Sequence, residues 1–341
     1  MDCAGEMPPL PPPPAIVAAA PCRVSAVAPM PPKIPQAGWT SAKGAVSTST
    51  AVEVPIALGW VEQRVSESDA SLPYVVYVPS RGGAGAPILV TVHGISRNAW
   101  EQVSMFAPYA ERTGVVLVAP LYEYQRFPRY QRLTANERGE SPVAIMEAIV
   151  DEVARTTGAS GDRMYLFGFS GGGQFVHRYA MAHPDRVAGY VVGSAGWYTF
   201  PDAQRRYPYG LRYSPRLQMG GFDLQRFLAV PGWVLVGERD VHEGTAMRKT
   251  ERVMLEQGLS RMERGRRWVD AVNARAAELG LAAPVRFEQL PRSPHSFRRS
   301  MRRGELGQRV FGHLFGLEEN AVRMAELRST SSPGPEGRAA E

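Results

Sequence analysis

The segment Gly168-Phe169-Ser170-Gly171-Gly172 follows directly on the apolar run Met164-Tyr165-Leu166-Phe167. No other part of the chain restricts the possible folds as strongly. A short apolar run, a glycine–X–serine–X–glycine step and then a helix-forming stretch describe a strand that turns abruptly into a helix, with the serine at the apex. Glycines at 168 and 172 leave room where a side chain would strike neighbouring backbone. Gln174 to Ala182 supply the helix, and Pro184 stops it. A serine hydroxyl exposed on such a turn needs only a base to become a nucleophile.

The rest of the chain supplies a scaffold for that turn. Apolar strand-like runs lie at Pro73 to Pro79, Ile88 to His93, Val115 to Ala119, Arg163 to Phe169, Tyr190 to Val192, Trp233 to Val236 and Val285 to Leu290. Helical patterns alternate with most of them. One is bounded by Ser141-Pro142 and Gly158, another runs from about Gly265 to Leu279 before Gly280. Alternating β and α elements predict an α/β fold with a mainly parallel sheet covered on both faces. The opening strands, near 54–63 and 73–79, are expected to be antiparallel.

Residues 1–50 have a different texture. Eleven of the 29 prolines fall in the first 35 positions, which predicts a disordered Pro/Ala-rich leader. The catalytic domain is expected over 51–318, with a cap insertion at about 197–230, and 319–341 is expected to be a flexible tail. The start lacks the basic residues of a signal peptide and its apolar stretch is broken by prolines, so a cytoplasmic location is expected over export. The 341 residues are 44% hydrophobic and carry a net charge of +6, enough for one large core. Only three of the cations are lysines, Lys33, Lys43 and Lys249. No basic run is interleaved with aromatics, so no nucleic-acid partner is expected. No apolar run is long enough for a membrane span. Both cysteines, Cys3 and Cys22, lie in the leader, so no disulfide or cysteine metal site is expected in the catalytic region. No cofactor is expected either.

A nucleophilic serine requires a base, and the base requires an orienting acid. In a serine hydrolase with its nucleophile on a strand-to-helix turn of this kind, these come from loops after later strands, in the order nucleophile, acid, base. Asp240 follows Trp233 to Val236 in Gly237-Glu238-Arg239-Asp240, with Glu238 in reserve. His295 follows Val285 to Leu290 in Pro291-Arg292-Ser293-Pro294-His295, and His242 is the rival base. The strand Ile88 to Val92 leads into His93-Gly94-Ile95. The amides of Ile95 and Gly171 are the expected oxyanion-hole donors, and His93 reads as the organiser of its loop. Substrate contacts are expected from His93, Gly94, Trp197 and Tyr198. The loops at 122–132 and 197–216 are rich in Tyr and Arg, including Arg205, Arg206 and Arg212. They suit an aromatic or anionic small-molecule ester.

On these motifs the chain resembles the α/β-hydrolase superfamily over residues 52–317. Phe169-Ser-Gly-Gly-Gly-Gln-Phe175 and the early strand Tyr74 to Val78 are similar to the esterases grouped with polyhydroxybutyrate depolymerases and feruloyl esterases. The resemblance implies hydrolysis of carboxylic esters through an acyl-enzyme on Ser170, His295 and Asp240. A peptidase or acyltransferase on the same three residues, or a non-catalytic binding protein of this fold, remain the alternatives. Relatives of this kind are usually exported and often disulfide-bonded, a departure that counts against polymer hydrolysis.

Overall fold

The computed structural model describes residues 55–212, 221–241 and 247–317, all within one compact unit, Glu53–Glu341. The expected leader and tail lie outside the described residues. Eight strands form one sheet: β1 (Val61–Ser66), β2 (Asp69–Tyr77), β3 (Pro87–Val92), β4 (Val116–Pro120), β5 (Ser160–Phe169), β6 (Val187–Gly193), β7 (Gly232–Gly237) and β8 (Val285–Leu290). Their spatial order is β1-β2-β4-β3-β5-β6-β7-β8. β2 runs antiparallel to β1 and to β4, and every other neighbouring pair is parallel. The first strand begins later than the expected 54–63. Its outward residues are exposed (Val65 is 53% exposed), so the edge carries little of the apolar signal that marks the inner strands.

Strand alternation divides the core into two layers. Tyr74, Val76, Ile88, Val90 and Val92 face one side. There they meet α2 (Pro142–Thr157), α3 (Gly171–Ala182) and α6 (Arg261–Glu278). Val75, Tyr77, Leu89 and Leu117 face the other side, against α1 (Ala99–Thr113), α7 (Phe297–Arg303) and α8 (Leu306–Phe315). The described residues also form two short helices, α4 (Leu224–Phe227) and α5 (Glu251–Gln257). Of the expected cap segment, 197–212 and 221–230 are described; they include α4 and the stack of Tyr207 on Phe222, with centroids 5.6 Å apart. α2 has the bounds its local signals predict: the Ser141 hydroxyl accepts from Ala144 N–H, proline opens the helix and Gly158 closes it at φ 72°.

Two buried histidines fasten the loops that leave the carboxyl edge of the sheet. His93 Nδ1 donates to Gly94 O at 2.8 Å, and its Nε2 accepts from Tyr122 N–H at 3.0 Å. His177 repeats the device: Nδ1 donates to Gly173 O and Nε2 accepts from Thr199 N–H, both at 2.9 Å. A ring nitrogen that accepts from an amide cannot carry a proton, so each tautomer is fixed by its partners. Burial lowers His93 from 6.5 to about 4, reinforced by the Arg97 charge and partly offset by the bond to Gly94. Burial likewise holds His177 well below the ordinary value. The unfolded chain therefore binds protons that the folded chain refuses. The stability linked to these histidines is complete above pH 6.5 and drains away as pH falls below it, for His93 down to about 4. His93 alone accounts for about 3 kcal/mol. Chemical unfolding at pH 7 and pH 4.5 should show this decline, smaller in His93→Gln; equal stability at the two pH values would contradict it.

Candidate active site

β5 delivers Ser170 into a backbone conformation that L-residues avoid, φ 57° and ψ −111°. Such a conformation costs about 1–3 kcal/mol and persists only where the surroundings impose it. Here Ser170 N–H donates to Gly193 O at 2.8 Å, tying the apex to the end of β6. A Cβ on Gly172 would lie 1.8 Å from Val92 O, and one on Gly168 would lie 2.3 Å from the carbonyl carbon of Gly172. Both positions must therefore be glycine for α3 to start so close to β3 and β5. The Ser170 hydroxyl makes no capping bond to α3.

That hydroxyl meets His295 instead, with Nε2 3.0 Å from Oγ. The other ring nitrogen, Nδ1, lies 2.8 Å from Asp240 Oδ2. The loops after β7 and β8 are joined along their backbones, Glu238 N–H to Leu290 O and Arg239 N–H to Ser293 O, both at 2.9 Å. This join sets Asp240 beside His295. Gly237 permits it, since a Cβ there would stand 2.2 Å from Ser293 O. Phe169 stacks on the imidazole at 5.4 Å between centroids.

Asp240 is only 2% exposed, and its second oxygen is taken by Arg261 Nη1 at 2.9 Å. Burial raises the carboxyl, but the bond and charge of His295, and then the charge of Arg261, outweigh it and hold Asp240 below the ordinary carboxylate range. A buried carboxylate of this kind stays ionised and can stabilise an imidazolium.

Beside the serine, a Cβ on Gly171 would lie 3.4 Å from Ile95 N, so the two expected oxyanion donors stand together. Gly171 is the first residue of α3, whose N–H has no partner within the helix. A Cβ on Gly94 would come within 3.5 Å of Ser170 Cβ. The Tyr130 hydroxyl donates to His93 O at 2.6 Å and braces this loop. Among the described residues, no group of three His, Cys, Asp or Glu side chains is placed to hold a metal ion.

The structure thus brings Ser170, Asp240, His295, Ile95, Gly171 and Gly94 together. It does not place His93 or Tyr198 against a substrate. His93 is fully buried between Tyr122 and Gly94, and Tyr198 is fully buried on Trp268, at 5.1 Å between centroids. Trp197 is 4% exposed and lies under two arginines. Glu238 is exposed and accepts from Arg292 N–H, away from His295. His242 lies outside the described residues. Sequence reasoning missed Arg261 and Tyr130. Arg261 occupies the first turn of α6, which starts at Arg261 rather than near Gly265. Ser260 and Glu263 mark that start: Ser260 Oγ accepts from Glu263 N–H at 3.1 Å, and the Glu263 carboxylate accepts from Leu259 N–H at 2.8 Å.

Removing one member of a buried ion pair leaves an uncompensated charge and costs about 3–5 kcal/mol. Arg261→Met should lower stability by that order in thermal or chemical unfolding, and should shift the acid limb of any activity profile upward as Asp240 loses its cation. Arg261→Lys should recover part of both. A folded Arg261→Met protein with unchanged stability and pH profile would contradict this role.

No family model matches the chain. Among curated proteins, feruloyl esterase B of Talaromyces funiculosus is 28% identical over 133 residues, 38% of this chain and 37% of that protein. The match thus spans little more than a third of that relative. Among solved structures, poly(aspartic acid) hydrolase-1 from Sphingomonas sp. KT-1 is similar with a TM-score of 0.64 and 27% identity, over 74% of this chain and 98% of that one. A poly(3-hydroxybutyrate) depolymerase from Bordetella parapertussis is similar with a TM-score of 0.59 and 24% identity, over 72% and 88%. Strand order, serine turn and structural neighbours agree: this chain has the α/β-hydrolase fold, and it is similar to a depolymerase, a poly(aspartic acid) hydrolase and a feruloyl esterase.

Proposed function

We propose that this chain is a serine hydrolase that cleaves carboxylic esters through an acyl-enzyme. The observation that carries the reading is the 3.0 Å separation between His295 Nε2 and a Ser170 hydroxyl held on a strained turn. Ser170 Oγ bonds to the substrate carbonyl carbon while His295 Nε2 takes its proton. The carbonyl oxygen gains negative charge facing the Ile95 and Gly171 amides. The bond to the alcohol oxygen then breaks, and His295 returns the proton to that oxygen. Water repeats the sequence on the acyl-enzyme, releasing the acid and restoring Ser170. Asp240 fixes the imidazole tautomer through Nδ1 and balances its charge, with Arg261 holding the carboxylate in place. The similarity to feruloyl esterase B and to a depolymerase supports ester cleavage.

A second reading, cleavage of amide bonds in an acidic chain, is favoured by the similarity to poly(aspartic acid) hydrolase-1. The same residues serve, with the proton returned to a leaving nitrogen.

Hydrolysis of p-nitrophenyl butyrate tests the reading. Ser170→Ala should lower kcat by about 10^4-fold or more, with the fold retained by circular dichroism, and Asp240→Asn by about 10^4-fold. Amine release from poly(aspartic acid), absent in Ser170→Ala, would select the second reading. Ester turnover by folded Ser170→Ala near the wild-type rate would sink both.

A further inference from the structure

The arginines around the catalytic edge fall into two groups. Some are neutralised. Arg126 pairs with Asp69 and Glu140, both at 2.6 Å, and Arg205 with Asp202 and Glu256 at 2.9 and 2.7 Å. Others have no carboxylate partner among the described residues: Arg97, Arg132, Arg178 and Arg248. These lie on aromatic faces or beside one another. The guanidinium carbons of Arg178 and Arg248 are 4.3 and 5.1 Å from the centroid of the same indole, Trp197. Arg248 also donates to the Tyr209 hydroxyl at 2.9 Å. Arg97, in the loop that carries Ile95, lies 4.9 Å from the Tyr130 ring, and Arg132 ends the 3-10 turn that Tyr130 opens.

Arg178 is fully buried. Its Nε donates to Thr199 Oγ1 at 2.9 Å and its Nη1 to Gln131 O. Among the described residues its Nη2 has no partner, nor have Arg248 Nε and Arg97 Nε and Nη1, all of them atoms enclosed by protein. Burial lowers Arg178, in part offset by Tyr207 and reinforced by the charges of Arg132 and Arg248; burial and then Arg248 and Arg129 lower Arg132. Several like charges gathered without a carboxylate repel one another, and an anion at the partly exposed ends of Arg97, Arg132 and Arg248 would relieve that repulsion.

The position suits a substrate. Arg178 is on the helix that starts after Ser170, eight residues on, about 12 Å along the axis. A helical side chain leans back towards the N-terminus, which brings the guanidinium nearer the serine. Trp197 follows β6, whose end accepts the Ser170 amide, and Gly196 lies against Gln174 of α3.

We propose that the partly exposed Arg97, Arg132 and Arg248, with the buried charge of Arg178 close to the last two, form a carboxylate-binding rim beside Ser170, a subsite for a chain that bears repeated carboxylates. It deepens the hydrolase reading and rests on it for its role in turnover, but the binding itself does not. The arginines expected from sequence to select the substrate do not share the pattern: Arg205 is ion-paired, and Arg206 and Arg212 are exposed to solvent.

The test is calorimetric binding of penta-aspartate and of uncharged penta-asparagine to Ser170→Ala protein, so that it needs no turnover. Penta-aspartate should bind, penta-asparagine at least about tenfold more weakly, and added salt should reduce the difference. Arg132→Gln with Arg248→Gln should weaken penta-aspartate binding by about tenfold or more, as loss of a charged hydrogen bond predicts. A charge-matched control, Arg205→Gln with Arg206→Gln, should leave it unchanged, and unfolding midpoints verify that both proteins fold. In wild-type protein penta-aspartate should compete with p-nitrophenyl acetate. Equal binding of the two peptides, no binding, equal effects of the two double variants, or binding without competition would each overturn the rim. An inert Ser170 with intact binding would overturn the hydrolase reading alone.

Discussion

The site depends on one backbone contact. The first turn of α3 lies so close to the ends of β3 and β5 that positions 168 and 172 admit no side chain. This approach forces the sharp turn, and the turn places Ser170 at positive φ with its hydroxyl free of capping duty. It also sets the Gly171 amide beside Ile95 and the serine beside Gly94. The apolar contacts of the two core layers hold the strands and helices that make the approach possible. The strain at one residue is thus offset by burial over the whole sheet.

Electrostatics completes what the turn begins. Asp240 is ionised in a buried position because His295 and Arg261 each take one of its oxygens. Pairing there converts a costly burial into a fixed orientation of the imidazole. At the rim the arrangement is reversed. Whereas Arg126 and Arg205 are ion-paired, Arg97 and Arg178 stand on the rings of Tyr130 and Trp197 with no carboxylate partner among the described residues. One part of the molecule satisfies its own charges, and the other is the rim proposed to meet a carboxylate ligand.

Much of this was legible in the sequence wherever the signal is local. Ser141-Pro142 and Gly158 bound α2 because capping acts over a few residues. The serine turn announces itself through its glycines, and Asp240 and His295 through their place after two apolar strands. Long-range pairing left no such trace. Arg261 meets Asp240 from 21 residues away, and only the Ser260 N-cap marks the turn that carries it. Composition marked the loops at 122–132 and 197–216 as rich in arginine, yet could not separate Arg205, paired with distant Glu256, from Arg132, which has no carboxylate partner among the described residues. His93 and Tyr198 fall near the site in sequence but turn into the core, because a loop beside a catalytic edge must bury part of itself to stay in place.

The central claim is that the backbone turn and the His295 imidazole together make Ser170 a nucleophile. Reaction with a fluorophosphonate, followed by mass-spectrometric mapping of the modified peptide, tests it most directly. The account predicts a single adduct on Ser170, formed in native protein and lost in His295→Ala or after unfolding. An adduct on another residue, or none in folded protein, would contradict it.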